Sequence, residues 1–287
     1  MLQDLAYGRL ENEFHNWQPQ PEDVVVCVGQ QGILIRREAD DSLQLPDFAQ
    51  VSTWENDTWH SWGQKKLAYI FRLQERNYFL WLGTAGACPA EEYHYESPRQ
   101  LRQLQSKDMC FAAMTAWHLY NWYRVNRFCG CCGTATVHDD KERMLRCPSC
   151  GNMIFPRISP AVIIAITDGD RLLLSKYAGR SYTRYALIAG YTEIGETLEQ
   201  TVKREVMEEV GLQVTNIRYY KSQPWGVDGN VLMGFYCDLQ GSDTVHLDTN
   251  ELAMAQWYPR HALPAHDDGI SLTREMIRVF EEGNEPR

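Results

Sequence analysis

An α+β fold is predicted for this chain of 287 residues by three observations. Short apolar and β-branched runs separated by turn residues crowd the N-terminal third. Two cysteine pairs, Cys129 with Cys132 and Cys147 with Cys150, stand at C-x2-C spacing near the middle. The last part alternates strand-like runs with helical stretches, and one of these helices is loaded with carboxylates. These features divide the chain into a β-rich N-terminal domain (1–107), a bridging helix (108–127), a four-cysteine ribbon (128–156) and an α/β domain (157–287).

In the N-terminal domain, Val24 to Val28 is a β-branched run and Gly32 to Ile35 follows a glycine turn. Leu67 to Leu73 pairs with Tyr78 to Leu82 across Glu75-Arg76-Asn77 as an expected hairpin. Trp54, Trp59 and Trp62 read as core anchors, and His60 and His94 as lone structural or exposed histidines. No catalytic constellation is legible here. Lys107 to Val125 has no Gly or Pro and is apolar nearly all round, the pattern of a helix buried on several sides. Trp117-His118 on it reads as packing rather than ligation.

The cysteine pairs are separated by 14 residues. That spacing suits a structural Zn2+ held by four thiolates, Cys129, Cys132, Cys147 and Cys150, which leave no open position for catalysis. Redox chemistry is the competing reading of one C-x-x-C, and two at ribbon spacing favour zinc. Cys131 is offset from both knuckles and reads as a spare thiol. Cys27, Cys88, Cys110 and Cys237 read as buried small hydrophobes. The ribbon interior, HDDKERMLR, is mixed in charge and gives little support to nucleic-acid binding.

In the last domain, Ala161 to Thr167 is a buried-strand run, Asp168-Gly169-Asp170 a hairpin turn and Arg171 to Lys176 the return strand. Val214 to Ser222, Val231 to Leu239 and Ala255 to Pro259 read as further strands. Ser271 to Glu282 reads as a closing amphipathic helix.

Composition sets outer bounds. Hydrophobic residues make up 44%, an ordinary globular share, and the formal net charge is -10. That balance argues against a general nucleic-acid binder. No 18-residue apolar run occurs, so no membrane span is expected. The first residues carry acids and lack a signal core, and a cytoplasmic protein is expected.

The chemistry concentrates in Gly190 to Leu212. Thr197 and Gln200 form a capping-box pair, Gly211 is the stop, and Leu198, Val202, Val206 and Val210 give an apolar stripe. Glu205, Glu208 and Glu209 share a neighbouring face, where like charges repel. Arg204 is placed to pair with Glu208 or with Glu196, but one guanidinium does not neutralise four acids. A solvated acidic face is the bland reading; a hard divalent cation such as Mg2+ is the sharper one.

The stretch matches the Nudix box at Gly190, Glu196, Arg204, Glu205, Val206, Glu208, Glu209, Gly211 and Leu212. This resemblance implies a Nudix α/β/α sandwich and Mg2+- or Mn2+-dependent cleavage of a nucleoside diphosphate linked to another group. A ribbon directly before it, beginning Phe128-Cys129 and closing its first knuckle at Cys132-Gly133, and Ser222-Gln223-Pro224-Trp225 after it, resemble the NADH pyrophosphatase (NAD+ diphosphatase) family. The family's members are homodimers that split NADH or NAD+ into NMN(H) and AMP, and some remove NAD caps from RNA. By this resemblance the metal ligands are the Ala189 carbonyl, Glu205, Glu208, Glu209 and Glu251, with Glu208 or Glu209 as catalytic base. Substrate contacts fall on Glu142, Phe155, Tyr191, Gln223, Pro224, Trp225 and Thr273. Gly190, Glu196, Arg204 and Gly211 hold the box in shape.

One departure stands out. The family motif continues SQPWPFPxS, whereas here SQPW runs into Gly226-Val227-Asp228-Gly229-Asn230 with one extra residue. A flexible, more acidic loop is expected. Two alternatives follow: another substrate, such as ADP-ribose or a dinucleoside polyphosphate, or a nucleotide sensor that does not cleave. The complete box weighs against the sensor.

Overall fold

The computed structural model describes residues 1–5, 10–29, 31–38, 42–54, 60–62, 65–86, 88, 91–104, 107–179, 184–264 and 269–287. Two compact units emerge. One comprises Met1–Leu2, Ile158–Trp225 and Asn230–Arg287; the other comprises Gln3–Arg157 and Gly226–Gly229.

The first unit is built on a six-stranded mixed sheet. Its centre is the strand Ser159–Asp168, which runs parallel to Asn230–Gln240 and antiparallel to Ile188–Tyr191. The run AVIIAIT is apolar without interruption because both of its faces are covered. Val162, Ile164 and Ile166 pack with Val202, Val206 and Val210 of the carboxylate helix Leu198–Val210. Ile163 and Ala165 turn the other way, onto Leu272, Met276 and Phe280 of the closing helix Leu272–Glu281. Helix, sheet and helix thus form the expected α/β/α sandwich. Both helices start as the sequence predicts. The Thr197 hydroxyl accepts from the Gln200 amide while the Gln200 side chain accepts from the Thr197 amide, and Ser271 caps the closing helix. Gly211 stops the carboxylate helix in the left-handed conformation, φ 66°, where glycine has no Cβ to clash.

In the second unit, Val24–Val26 runs parallel to Arg76–Trp81, which forms a hairpin with Leu67–Leu73. The hairpin turn differs from the expectation. It is the two-residue turn Gln74-Glu75, both with positive φ, so Arg76 and Asn77 are strand residues. A second sheet pairs Gly32–Arg37 with Val28–Gly29, Leu43–Gln44 and Tyr93–Glu96. The helix Lys107–Val125 lies in the core of this unit. Ala112, Ala113 and Ala116 bring its backbone close, and Tyr120, Trp122 and Tyr123 fill the space beside Val26, Ile33 and Phe71.

Trp54 meets Tyr93 edge-on and Trp62 packs on Tyr120, both half-buried. Trp59 and the side chain of His60 lie outside the described residues. His94 is half-buried in its strand, and His118 is held at its Nε2 by the Arg157 carbonyl, 2.7 Å away. Cys27, Cys110 and Cys237 are buried as expected, but Cys88 is exposed. In sequence it lies between the strands Gly83–Thr84 and Tyr93–Glu96. Among the described residues no helix is long and apolar enough to cross a membrane.

Candidate active site

Glu205 and Glu209 are buried on the carboxylate helix, whereas Glu208 is open to solvent. Burial raises the pKa of the Glu205 carboxyl, and the charges of Glu208 and Glu251 add to that rise against the opposing pull of Arg204. Glu251, exposed at the start of the strand Leu252–Pro259, is therefore within electrostatic reach of Glu205. The strand Ile188–Tyr191 carries Ala189 and Gly190 alongside. A Cβ placed on Gly190 would fall 1.9 to 2.2 Å from the Glu205 carboxyl atoms. The glycine is thus the gap into which this carboxylate fits.

Arg204 is more heavily engaged than either pairing read from the sequence. Its Nε and Nη2 grip Glu196 at 2.6 and 3.0 Å, its Nη1 reaches Glu205 at 2.8 Å and Glu208 at 2.9 Å, and its Nη2 also donates to the Tyr191 carbonyl at 2.9 Å. One side chain ties loop, strand and helix together. Glu196 also accepts from the Thr201 hydroxyl and the Glu193 amide. The guanidinium first, then these donors, pull its pKa down to about 2.

The other residues singled out from the sequence are placed as follows. Tyr191 presents an exposed ring whose hydroxyl meets the Asn230 carboxamide at 3.3 Å. Gln223 is fully buried, donating to the Ile270 carbonyl and accepting from the Leu272 amide, both at 2.8 Å. Pro224 is exposed, Trp225 buried and Thr273 half-buried in the closing helix. Glu142 and Phe155 are exposed residues of the second unit. Asn230 was not singled out from the sequence. Nothing in its spacing marks it, and its contact with Tyr191 is purely tertiary.

The loop Gly226–Gly229, where the sequence leads one to expect flexibility, has defined neighbours. It is a turn packed within the second unit. Gly226 lies against the Met114 carbonyl, Gly229 takes a positive φ beside His118, and Asp228 is ion-paired with Arg99. The introduced acid is thereby charge-matched.

Two metal sites are recognisable by donor chemistry. In the ribbon, the ligand atoms of Cys129, Cys132, Cys147 and Cys150 all lie within 4.8 Å of one another. The Cys129–Cys150 and Cys132–Cys147 sulfurs are 3.6 and 3.4 Å apart. A tetrahedral Zn2+ with Zn–S bonds of about 2.3 Å needs sulfurs about 3.8 Å apart, so the four fit it. Backbone amides of Cys131 and Cys150 point at the Cys129 and Cys147 sulfurs, and amide donation draws the Cys129 thiol down to about 6. Cys131 is exposed and outside the cluster. Among the described residues this is the one such tight cluster; Glu205, Glu208, Glu209 and Glu251 do not draw together to that distance. An all-oxygen set with surplus negative charge fits a hard divalent cation, which takes a few carboxylates and completes its shell with water and phosphate oxygens.

A sandwich with a four-cysteine ribbon and this carboxylate helix defines a zinc-ribbon Nudix protein. Residues 157–280 match the NUDIX domain, and residues 124–155 match the NADH pyrophosphatase zinc ribbon domain. Curated relatives carry the name NAD-capped RNA hydrolase NudC. That of Pectobacterium atrosepticum is 37% identical over 190 residues, covering 66% of this chain and 72% of the relative. That of Pseudomonas aeruginosa is 39% identical over 159 residues, 55% of this chain and 57% of the relative. That of Photobacterium profundum is 41% identical over 162 residues, 56% and 60%. The match thus spans little more than half the length of several of these relatives. The chain belongs to the NADH pyrophosphatase family of zinc-ribbon Nudix proteins.

Proposed function

We propose that this protein is an NAD+ diphosphatase-like hydrolase that cleaves the pyrophosphate of NADH or NAD+ to NMN(H) and AMP, and removes NAD caps from RNA. One observation carries the reading: the Arg204-tied carboxylates around Gly190, in a chain whose ribbon is of the NADH pyrophosphatase type. NAD-capped RNA enters as a substrate through the names of the relatives.

Glu205, Glu208, Glu209, Glu251 and the Ala189 carbonyl would hold Mg2+ or Mn2+. When bound, such ions neutralise phosphate charge and lower the pKa of a coordinated water. Glu208 or Glu209 takes the proton of the attacking water. The water oxygen bonds to one phosphorus, the bond from that phosphorus to the bridging oxygen breaks, and the electron pair leaves with the other phosphate. Arg204 and Glu196 keep the loop and helix in register and do not react. Tyr191 offers a ring face for the nicotinamide, and Pro224, Trp225 and Thr273 are its further substrate contacts in the same unit; Glu142 and Phe155 stand as substrate contacts by the family resemblance alone. The ribbon zinc is structural. Exposed apolar side chains such as Val125 and Phe155 support a homodimer, and four reduced thiols support a cytoplasmic setting.

A second reading keeps the chemistry and changes the substrate to ADP-ribose or a dinucleoside polyphosphate. The packed Gly226–Gly229 turn, in place of the proline-stiffened segment, is the observation that favours it. Product analysis separates the readings: purified protein is incubated with Mg2+ or Mn2+ and, separately, NADH, NAD+, ADP-ribose and NAD-capped RNA. Fastest release of AMP and NMNH from NADH upholds the first reading. Faster cleavage of ADP-ribose upholds the second. Binding without cleavage of any of them sinks both.

A further inference from the structure

The second unit holds a cavity of about 420 Å3 between its N-terminal strands, the end of its long helix and the ribbon. That volume is in the range of small-molecule sites. Its floor is apolar: Leu82, Tyr123 and Leu145 are all buried. Trp62 and Phe128 form aromatic walls, and Phe128 is 59% exposed, an apolar ring left open at the mouth. The Arg127 guanidinium lies 5.4 Å from the Trp62 ring centroid and 5.8 Å from that of Phe128. Among the described residues no carboxylate pairs with Arg127.

The charge of the lining is one-sided. Among the described residues Lys65 and Arg127 are the charged groups of the lining and no carboxylate joins them, in a chain whose net charge is -10. An acid, Asp140, stands behind Asn16, which accepts from Lys65 at 2.8 Å and donates to Asp140 at 2.9 Å. Thr136 and His138 supply neutral polar groups. Burial, with Lys65 nearby, pulls the His138 imidazole down to about 4, so at neutral pH it offers hydrogen bonds and no charge.

We propose that this cavity binds a nucleotide unit, its base against Trp62 and Phe128 and its phosphate between Arg127 and Lys65. Planar bases stack on aromatic rings and on guanidinium planes, and the phosphate supplies the negative charge the lining lacks. This site belongs to the second unit, whereas the carboxylate centre belongs to the first. The ligand is either a free nucleotide or one nucleotide of a single-stranded nucleic acid.

Two measurements on the full-length, zinc-loaded protein without added divalent cation test it. Photolabelling with 8-azido-AMP is followed by peptide mapping, and binding of AMP and of a fluorescein-labelled short oligoadenylate is titrated. Labelling of the peptides carrying Trp62, Tyr123 or Phe128, competed by AMP, is expected. Arg127→Ala and Phe128→Ala, both at exposed positions, should each weaken binding at this site about tenfold, with melting temperature, zinc content and, in a separate assay with Mg2+, NADH cleavage unchanged. Competition by AMP alone identifies a free nucleotide; oligoadenylate bound more tightly than AMP identifies a nucleic-acid strand. Label confined to the first unit, or binding unchanged in both variants, overturns the proposal. Absence of NADH cleavage would overturn the proposed function and leave the labelling map standing, so the two failures are distinguishable.

Discussion

Gly190→Ala is the most direct probe of the carboxylate centre. The added Cβ would lie 1.9 Å from Glu205 Cδ, where ordinary contact begins at 3.4 Å. The strand cannot withdraw, because Val162 opposes Gly190 in the central ladder and its neighbours are paired on either side. The carboxylate must therefore move by about 1.5 Å, a displacement of the size that costs catalysis about a hundredfold. It would also lose its 2.8 Å bond to Arg204. Stability should fall by only about 1–3 kcal/mol, the usual range for one extra methyl in a packed site. The assay is steady-state NADH cleavage with Mg2+ beside urea unfolding of the same preparation. A kcat at least about a hundredfold lower with a cooperative transition retained is expected. Turnover within about twofold of wild type in a folded variant would show that Glu205 is not held at the reaction centre by this contact.

Glu209→Gln should lower kcat by about two to four orders of magnitude with an unchanged melting curve, read by NADH turnover and calorimetry. Cys147→Ala should remove zinc and lower the melting temperature, whereas Cys131→Ser should keep zinc content at the wild-type value by metal analysis. The Glu196 carboxyl is depressed to about 2 in the fold, so its contribution to stability is complete above the ordinary carboxylate range and is lost as pH falls toward about 2. Glu196→Gln should flatten that part of the acid profile in melts taken from about pH 6 to about pH 2; an unchanged slope would refute the clamp. Gly226→Pro, the residue the family motif carries there, would bring its Cβ to 2.2 Å from the Met114 carbonyl, and a loss of about 1–3 kcal/mol by urea unfolding is expected.

What was legible in the sequence is what spacing alone determines. The capping box, the Gly211 stop and the apolar stripe of the carboxylate helix are local, and they stand where the sequence predicts. The uninterrupted run Ala161 to Thr167 announced a strand covered on both faces. The four thiols were legible because a metal knuckle is a local turn. The missed features are tertiary. That Arg204 serves three carboxylates depends on how loop and strand meet the helix. The turn at Gln74-Glu75 uses residues with no strong turn signature, in positive φ imposed by strand register. Cys88 is exposed, and the cavity near Trp62 is assembled from segments far apart in sequence.

The altered SQPW segment shows why half of a motif persists while the other half changes. Along Ser222, Gln223, Pro224 and Trp225 burial alternates, as a strand edge requires. Gln223 points inward, and both ends of its amide are engaged by backbone at the start of the closing helix. Replacing it would leave the buried Leu272 amide without the acceptor it has now, at a cost of about 1–3 kcal/mol, whereas the Ile270 carbonyl would keep its bond from the Leu2 amide. Gly226–Gly229, which follow, belong to the second unit. They are turn residues, and the glycines that replace prolines let the chain pass close to the Met114 carbonyl. The first half is thus held by bonds within the first unit, and the second by the turn it makes against the Met114 carbonyl.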